Sequence, residues 1–171
     1  MNKQLPNNIK SKLEILGYYQ IVGGVIGLMT VIWVIAQTIT ITGIIILAFI
    51  FVTGLYSFSI YCGRLLIKEE YDLGLKLSIM DQALQIFSFA ILGFAFNFVA
   101  GLGIGIDIDY TNGFILNFSF SLSDFQVNVN RDKEIIKLGF NFLAVFLIQY
   151  IIQIKDEIEE SRHLQTPQIE Q

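Results

Sequence analysis

The sequence predicts an all-α membrane protein, a four-transmembrane-helix bundle with a small extracytoplasmic antiparallel β-meander of three strands between the third and fourth helices. Composition, an unbroken uncharged run and a late change of hydrophobic period carry that prediction. Hydrophobic residues make up 54% of the 171-residue chain and charged residues 15%, with a mean hydropathy of +0.62. A soluble domain is about one quarter charged. The missing charge is replaced by long blocks of Ile, Leu, Val and Phe, a composition suited to lipid as solvent.

No charged residue occurs from Ile15 to Gly63. As one helix this run would be roughly 74 Å long, against a hydrocarbon core of about 30 Å. It therefore crosses twice, with a break at Gln37-Thr38-Ile39-Thr40-Ile41-Thr42-Gly43. The first helix spans about 15–37 and the second about 43–67. Lys68, Glu69, Glu70 and Asp72 form a charged loop, and a third helix is expected over 75–103, ending in Ala100-Gly101-Leu102-Gly103-Ile104-Gly105.

Over 104–130 the period becomes 2, the mark of strands. Ile104, Ile106, Ile108 and Tyr110 alternate with Gly105, Asp107 and Asp109. Asn112-Gly113 is a strong hairpin signal. Phe114 to Leu122 alternates again, Ser123-Asp124 reads as a second turn, and Phe125 to Asn130 supplies a third strand. A fourth helix is expected over 135–154 and a cytoplasmic tail over 155–171. The whole is one membrane domain, 1–171.

Basic residues set the expected orientation. With the N-terminus inside, the inner segments hold eight Lys and Arg (Lys3, Lys10, Lys12, Arg64, Lys68, Lys76, Lys155, Arg162) and the outer ones three (Arg131, Lys133, Lys137). Both termini are thus expected in the cytoplasm of a bacterial cell with the chain in its inner membrane. The apolar run after Lys3, Lys10 and Lys12 far exceeds a signal-peptide core, so it reads as a retained helix. Cys62 is the only cysteine, which excludes an intramolecular disulfide.

Candidate site residues fall in two groups. A polar cluster at membrane depth comprises Gln20, Arg64, Asp81, Gln85, Gln149 and Asn97. Intramembrane charges are costly and usually paired, which makes Asp81 with Arg64 the natural pair. The bland alternative is an interfacial salt bridge and interhelical glue. An outer interaction face comprises Asp107, Asp109, Asn117, Asn128 and Asn130, whose alternative is a solvated lid. Gly23 and Gly27, then Thr53 and Ser57, have small-xxx-small spacing for close helix packing, within the bundle or between protomers.

No HExxH, CxxC, phosphate loop or nucleophile elbow is present, and the sole histidine is His163. No cofactor, metal site or catalytic set is expected. No basic patch with interleaved aromatics points to nucleic acid. The expected partners are the lipid bilayer and other copies or membrane subunits. The leading expectation is a non-enzymatic protein acting by assembly as a homo-oligomer or subunit. The alternatives are a pore or transporter lined by helix 3 and 4 polar residues, and a lipid-binding protein or membrane enzyme using Asp81 and Arg64 near the cytoplasmic interface.

Overall fold

The computed structural model of the protein describes residues 5–128 and 134–164. Two long helices come first, α1 (Asn7–Gln37) and α2 (Gly43–Ile67), then a short α3 (Tyr71–Ala83). Six strands follow: β1 (Phe87–Ile91), β2 (Phe94–Phe98), β3 (Leu102–Asp109), β4 (Ile115–Leu122), β5 (Phe125–Asn128) and β6 (Lys137–Asn141). β6 runs directly into α4 (Phe142–Leu164).

α1 and α2 are an antiparallel pair joined by the Thr-rich turn, where Thr42 caps α2 by accepting from the Ile45 amide. Glycines set their separation. A Cβ on Gly63 would lie 2.4 Å from the Gly17 carbonyl oxygen, and one on Gly27 would lie 2.0 Å from the Tyr56 ring. Gly23 faces the Gly101 backbone instead, where an added Cβ would lie 2.5 Å from the amide nitrogen. The Gly23/Gly27 spacing is thus consumed inside the protomer, whereas Thr53, Gly54 and Ser57 lie exposed on α2. At the base, Leu13 and Leu16 of α1, Leu66 of α2, Leu75 of α3 and Ile151, Ile154 and Ile158 of α4 form one buried core. Lys12 with Glu157, Arg162 with Asp72 and Lys10 with Glu69 tie its rim.

The strands form one antiparallel sheet in the order β4-β3-β6-β1-β2-β5. Leu92 and Gly93 join β1 to β2 with φ of 55° and 85°, the double positive φ of a tight hairpin turn. Alternation places every strand phenylalanine on one face, with Ile104, Ile106 and Leu138: Phe87 and Phe89, Phe96 and Phe98, Phe118 and Phe120, Phe125 and Phe140. Ser88, Asn97, Asp107, Asn117, Ser119, Ser121, Gln126 and Asn141 occupy the other.

This sheet cannot be flat. Its edge strands β4 and β5 are joined by Ser123-Asp124 alone. Three Cα steps reach about 11 Å, while the edges of a flat six-stranded sheet stand about 24 Å apart. The sheet therefore curls into a cup, polar face inward. Accordingly Asn97 on β2 and Ser119 on β4 line one cavity although three strands separate theirs. Glycine makes room for the curl: a Cβ on Gly105 would lie 2.1 Å from the Phe140 carbonyl oxygen. The convex face packs Phe96, Phe98, Phe125 and Val127 against Val31, Val52 and Tyr56 of the helical pair. Elsewhere it is bare, with Phe118 87% and Phe120 73% exposed.

The expected four-transmembrane bundle is therefore incorrect. Among the described residues only α1 and α2 are long and apolar enough to cross a membrane. α3 has 13 residues, about 20 Å of helix. The predicted helix over 75–103 is α3 plus the β1–β2 hairpin, and the predicted helix over 135–154 is β6 plus the first half of α4. The expected three-stranded meander is also replaced: β4 pairs with β3 alone, and β5 pairs with β2. Ser123-Asp124 is a link between opposite edges.

Gly63→Ala should destabilise the protein by about 1–3 kcal/mol, because the atom it meets is backbone and cannot rotate away. Gly54→Ala, with nothing within 4 Å of the added Cβ, serves as the neutral control. Unfolding of both variants in detergent measures the difference.

Candidate functional site

The cup encloses two adjoining cavities of about 180 and 260 Å³ that share Ser88, Asn97 and Asp107. Every strand contributes to their walls, and the polar side chains among the lining residues stand at the alternate positions of the period-2 pattern. Gly139 on the central strand keeps it open: a Cβ there would lie 2.1 Å from Ser88 Oγ and 2.3 Å from Asp107 Oδ1.

The chamber's charge is acidic. Asp109 pairs with Lys137 at 2.8 Å near the rim. Lys137 and the Thr111 amide and hydroxyl hold its carboxyl low, at about 2. Asn97 Nδ2 donates to Asp124 Oδ2 at 2.9 Å. The Asp107 carboxylate has no hydrogen bond or ion pair among the described residues. Asn141 ends β6 and caps α4, its Oδ1 accepting from the amides of Leu143 and Ile104 at 3.1 and 3.2 Å. Its Nδ2 is buried at the cavity wall without a protein partner.

The floor connects to a second polar centre. Gln85 lines the cavity, accepts from the Ala100 amide at 2.9 Å and donates to Asp81 Oδ2 at 3.1 Å. Asp81, at the end of α3, is fully buried between α1, α2 and α3. Ser59 Oγ and Gln82 Nε2 also donate to its Oδ2, at 3.1 and 3.3 Å. Gln20 Oε1 accepts from Ser78 at 3.0 Å. Asp81 Oδ1 and Gln20 Nε2 have no partner within the protein. Burial pushes the Asp81 carboxyl up to about 7, against the opposing pull of its three hydrogen-bond donors.

The structure thus brings Gln20, Asp81 and Gln85 together and adds Ser59, Ser78 and Gln82, which sequence reasoning missed. The expected Asp81–Arg64 pair does not form: Arg64 is exposed and Asp81 is held by neutral groups. Gln149 is exposed on α4, away from the cluster. Asn97 lies on a strand in the chamber, where its partner is Asp124 and no helix. Asp107, Asp109 and Asn117 face the chamber rather than an outer surface. Asn128 ends β5, and Asn130 lies outside the described residues.

Family models, characterised proteins and solved structures give no match to this chain. Carboxylates, amides and hydroxyls line the chamber, a set that binds polar and cationic groups; no nucleophile–base pair is assembled among the described residues.

A neutral Asp81 fits its site better than a charged one. The raised value means that stability is full below the unfolded carboxyl pKa near 4 and is lost as pH rises through about 7. Asp81→Asn should remove that loss, leaving the melting temperature flat from pH 5 to 8 and higher than wild type at pH 8. A melting series in detergent tests this; a parallel fall in both proteins would contradict it.

Proposed function

We propose that this chain is a non-enzymatic membrane protein, anchored by α1 and α2, whose inside-out β-cup holds a polar, cationic ligand at membrane depth. One observation carries the reading: the sheet turns its apolar face outward and its polar face inward. A sheet in water does the reverse, whereas a sheet surrounded by lipid does this. The helical pair supports it. The most apolar windows of α1 and α2 are only 28% and 17% buried, whereas the core helix of a soluble protein is mostly covered.

Orientation follows from charge. Lys10, Lys12, Arg64, Lys68, Lys76, Lys155 and Arg162 belong to the helical base, and Lys137 to the rim. By the positive-inside rule the base is cytoplasmic and the rim of the cup faces out. Assembly through the Gly23/Gly27 face loses its motive, since that face is occupied by the chain itself. The ligand class follows from the acidic interior, in which only Asp109 has a cationic partner among the described residues.

Single-cysteine variants in a Cys62→Ala background test both parts in membrane vesicles. Ser121→Cys, inside the cup, should react with a water-soluble maleimide roughly tenfold faster than Phe118→Cys on the lipid-facing convex surface. Small organic cations should protect Ser121→Cys, anions should not, and Asp107→Asn should abolish protection. Equal labelling of the two positions would sink the membrane reading; protection by anions alone would sink the ligand class.

A further inference from the structure

We infer that the chamber is loaded sideways, through the seam between β4 and β5, by a membrane amphiphile with an ammonium headgroup whose chains stay in the bilayer. The inference rests on the membrane reading above and deepens it by naming the ligand and its route.

The seam is the break in the cup wall. β4 and β5 are the two sheet edges and are joined only at the base, by Ser123-Asp124. Asn117 of β4 and Gln126 of β5 line the same cavity, yet among the described residues no ladder connects the two strands. The base of the seam is fixed: Ser123, with φ of +43°, donates from Oγ to the Gly23 carbonyl at 2.8 Å and accepts from the Gly101 amide at 3.0 Å. From Ile115 to Leu122 the free edge of β4 makes no backbone hydrogen bond to any described residue outside its ladder with β3.

In a hydrocarbon setting this edge is anomalous. Backbone polar groups at that depth persist only where they are covered or line a polar cavity. Nor is β4 blunted as free edges in water are, having neither proline nor charge along its eight residues. A polar headgroup in the seam would satisfy the edge from within, and Phe118 and Phe120 outside it offer acyl chains an aromatic surface.

Size and charge select the guest. The two cavities hold several water volumes of about 30 Å³ each, room for a headgroup and too little for chains. The Asp107 carboxylate is free of partners among the described residues and that of Asp124 has only the neutral Asn97, so the interior favours a cation. Because Lys137 already occupies Asp109, the carboxylates of Asp107 and Asp124 are the ones to meet the ammonium.

The test uses the full chain purified into nanodiscs of mixed phosphatidylethanolamine and phosphatidylglycerol, with bound lipid read by native mass spectrometry. Retention of the ethanolamine lipid at roughly ten times its bulk ratio is expected, and the Asp107→Asn, Asp124→Asn double variant should lose that preference. In a Cys62→Ala background, a bis-maleimide joining Asn117→Cys to Gln126→Cys should stop exchange of the bound lipid. Exchange that continues across the closed seam, no lipid preference, or displacement by free ethanolamine at equal concentration would each overturn the inference. Alkaline extraction of the same membranes separates the two failures: protein that stays in the membrane but selects no lipid overturns lateral loading alone, and protein that is extracted overturns the membrane reading with it.

Discussion

The architecture depends on one close approach, where α1 meets the floor of the sheet at Gly23. A side chain at this point would fall within 2.5–2.8 Å of the Ala100-Gly101 backbone. Because none is present, Ser123 can reach the Gly23 carbonyl while accepting from the Gly101 amide. Tyr19 accepts from the Leu102 amide at 3.1 Å one turn away. Three points of the cup floor are thereby fixed to one helix, and the register between helical hairpin and sheet follows. Tyr56, seated against Gly27 and bonded to the Val99 carbonyl at 3.3 Å, repeats the attachment from α2. Buried hydrogen bonds contribute about 1 kcal/mol each, but their directionality decides where the cup sits.

The two polar centres share this floor. Gln85 has one amide end on Ala100 and the other on Asp81, so the cavity and the buried carboxyl are separated by a single side chain. Neutral donors surround Asp81, and no cation among the described residues pairs with it. A carboxyl so placed gains or loses a proton near neutral pH, and the floor of the chamber lies within hydrogen-bonding reach of that event.

The helical hairpin was legible in the sequence because length and uncharged composition suffice to define it, and α2 has the ends expected. The sheet was half legible. From Ile104 onward, charged and polar residues at alternate positions expose the period. Between Phe87 and Phe98 the same period is present, but Ala90 and Ala95 replace polar partners and Ile91 and Leu92 run into the turn, so hydropathy alone suggests a helix. The alternating phenylalanines at 87, 89, 94, 96 and 98, with Gly93 at the turn, were the available signal. The Asp81 site was misjudged for a different reason: an ion pair is the cheapest way to keep a carboxylate in lipid, but a neutral carboxyl needs no cation. Nothing in the local sequence distinguishes Ser123-Asp124 as an edge-to-edge link from a hairpin turn, since both need two residues and a positive φ.

Strand order also sets a timetable. β6 is the last strand in sequence yet lies in the middle of the sheet, between β3 and β1. Until it is made, the β3–β4 hairpin and the β1–β2–β5 unit share no ladder, and their apolar faces are unsupported. Contacts between distant parts of a chain form slowly because loop closure must precede them. During synthesis, then, the helical hairpin is complete while the cup is still two separate flaps. The wall becomes continuous when the final segment threads in beside them, and because β6 passes into α4 without a loop, the same event brings the last helix onto the base.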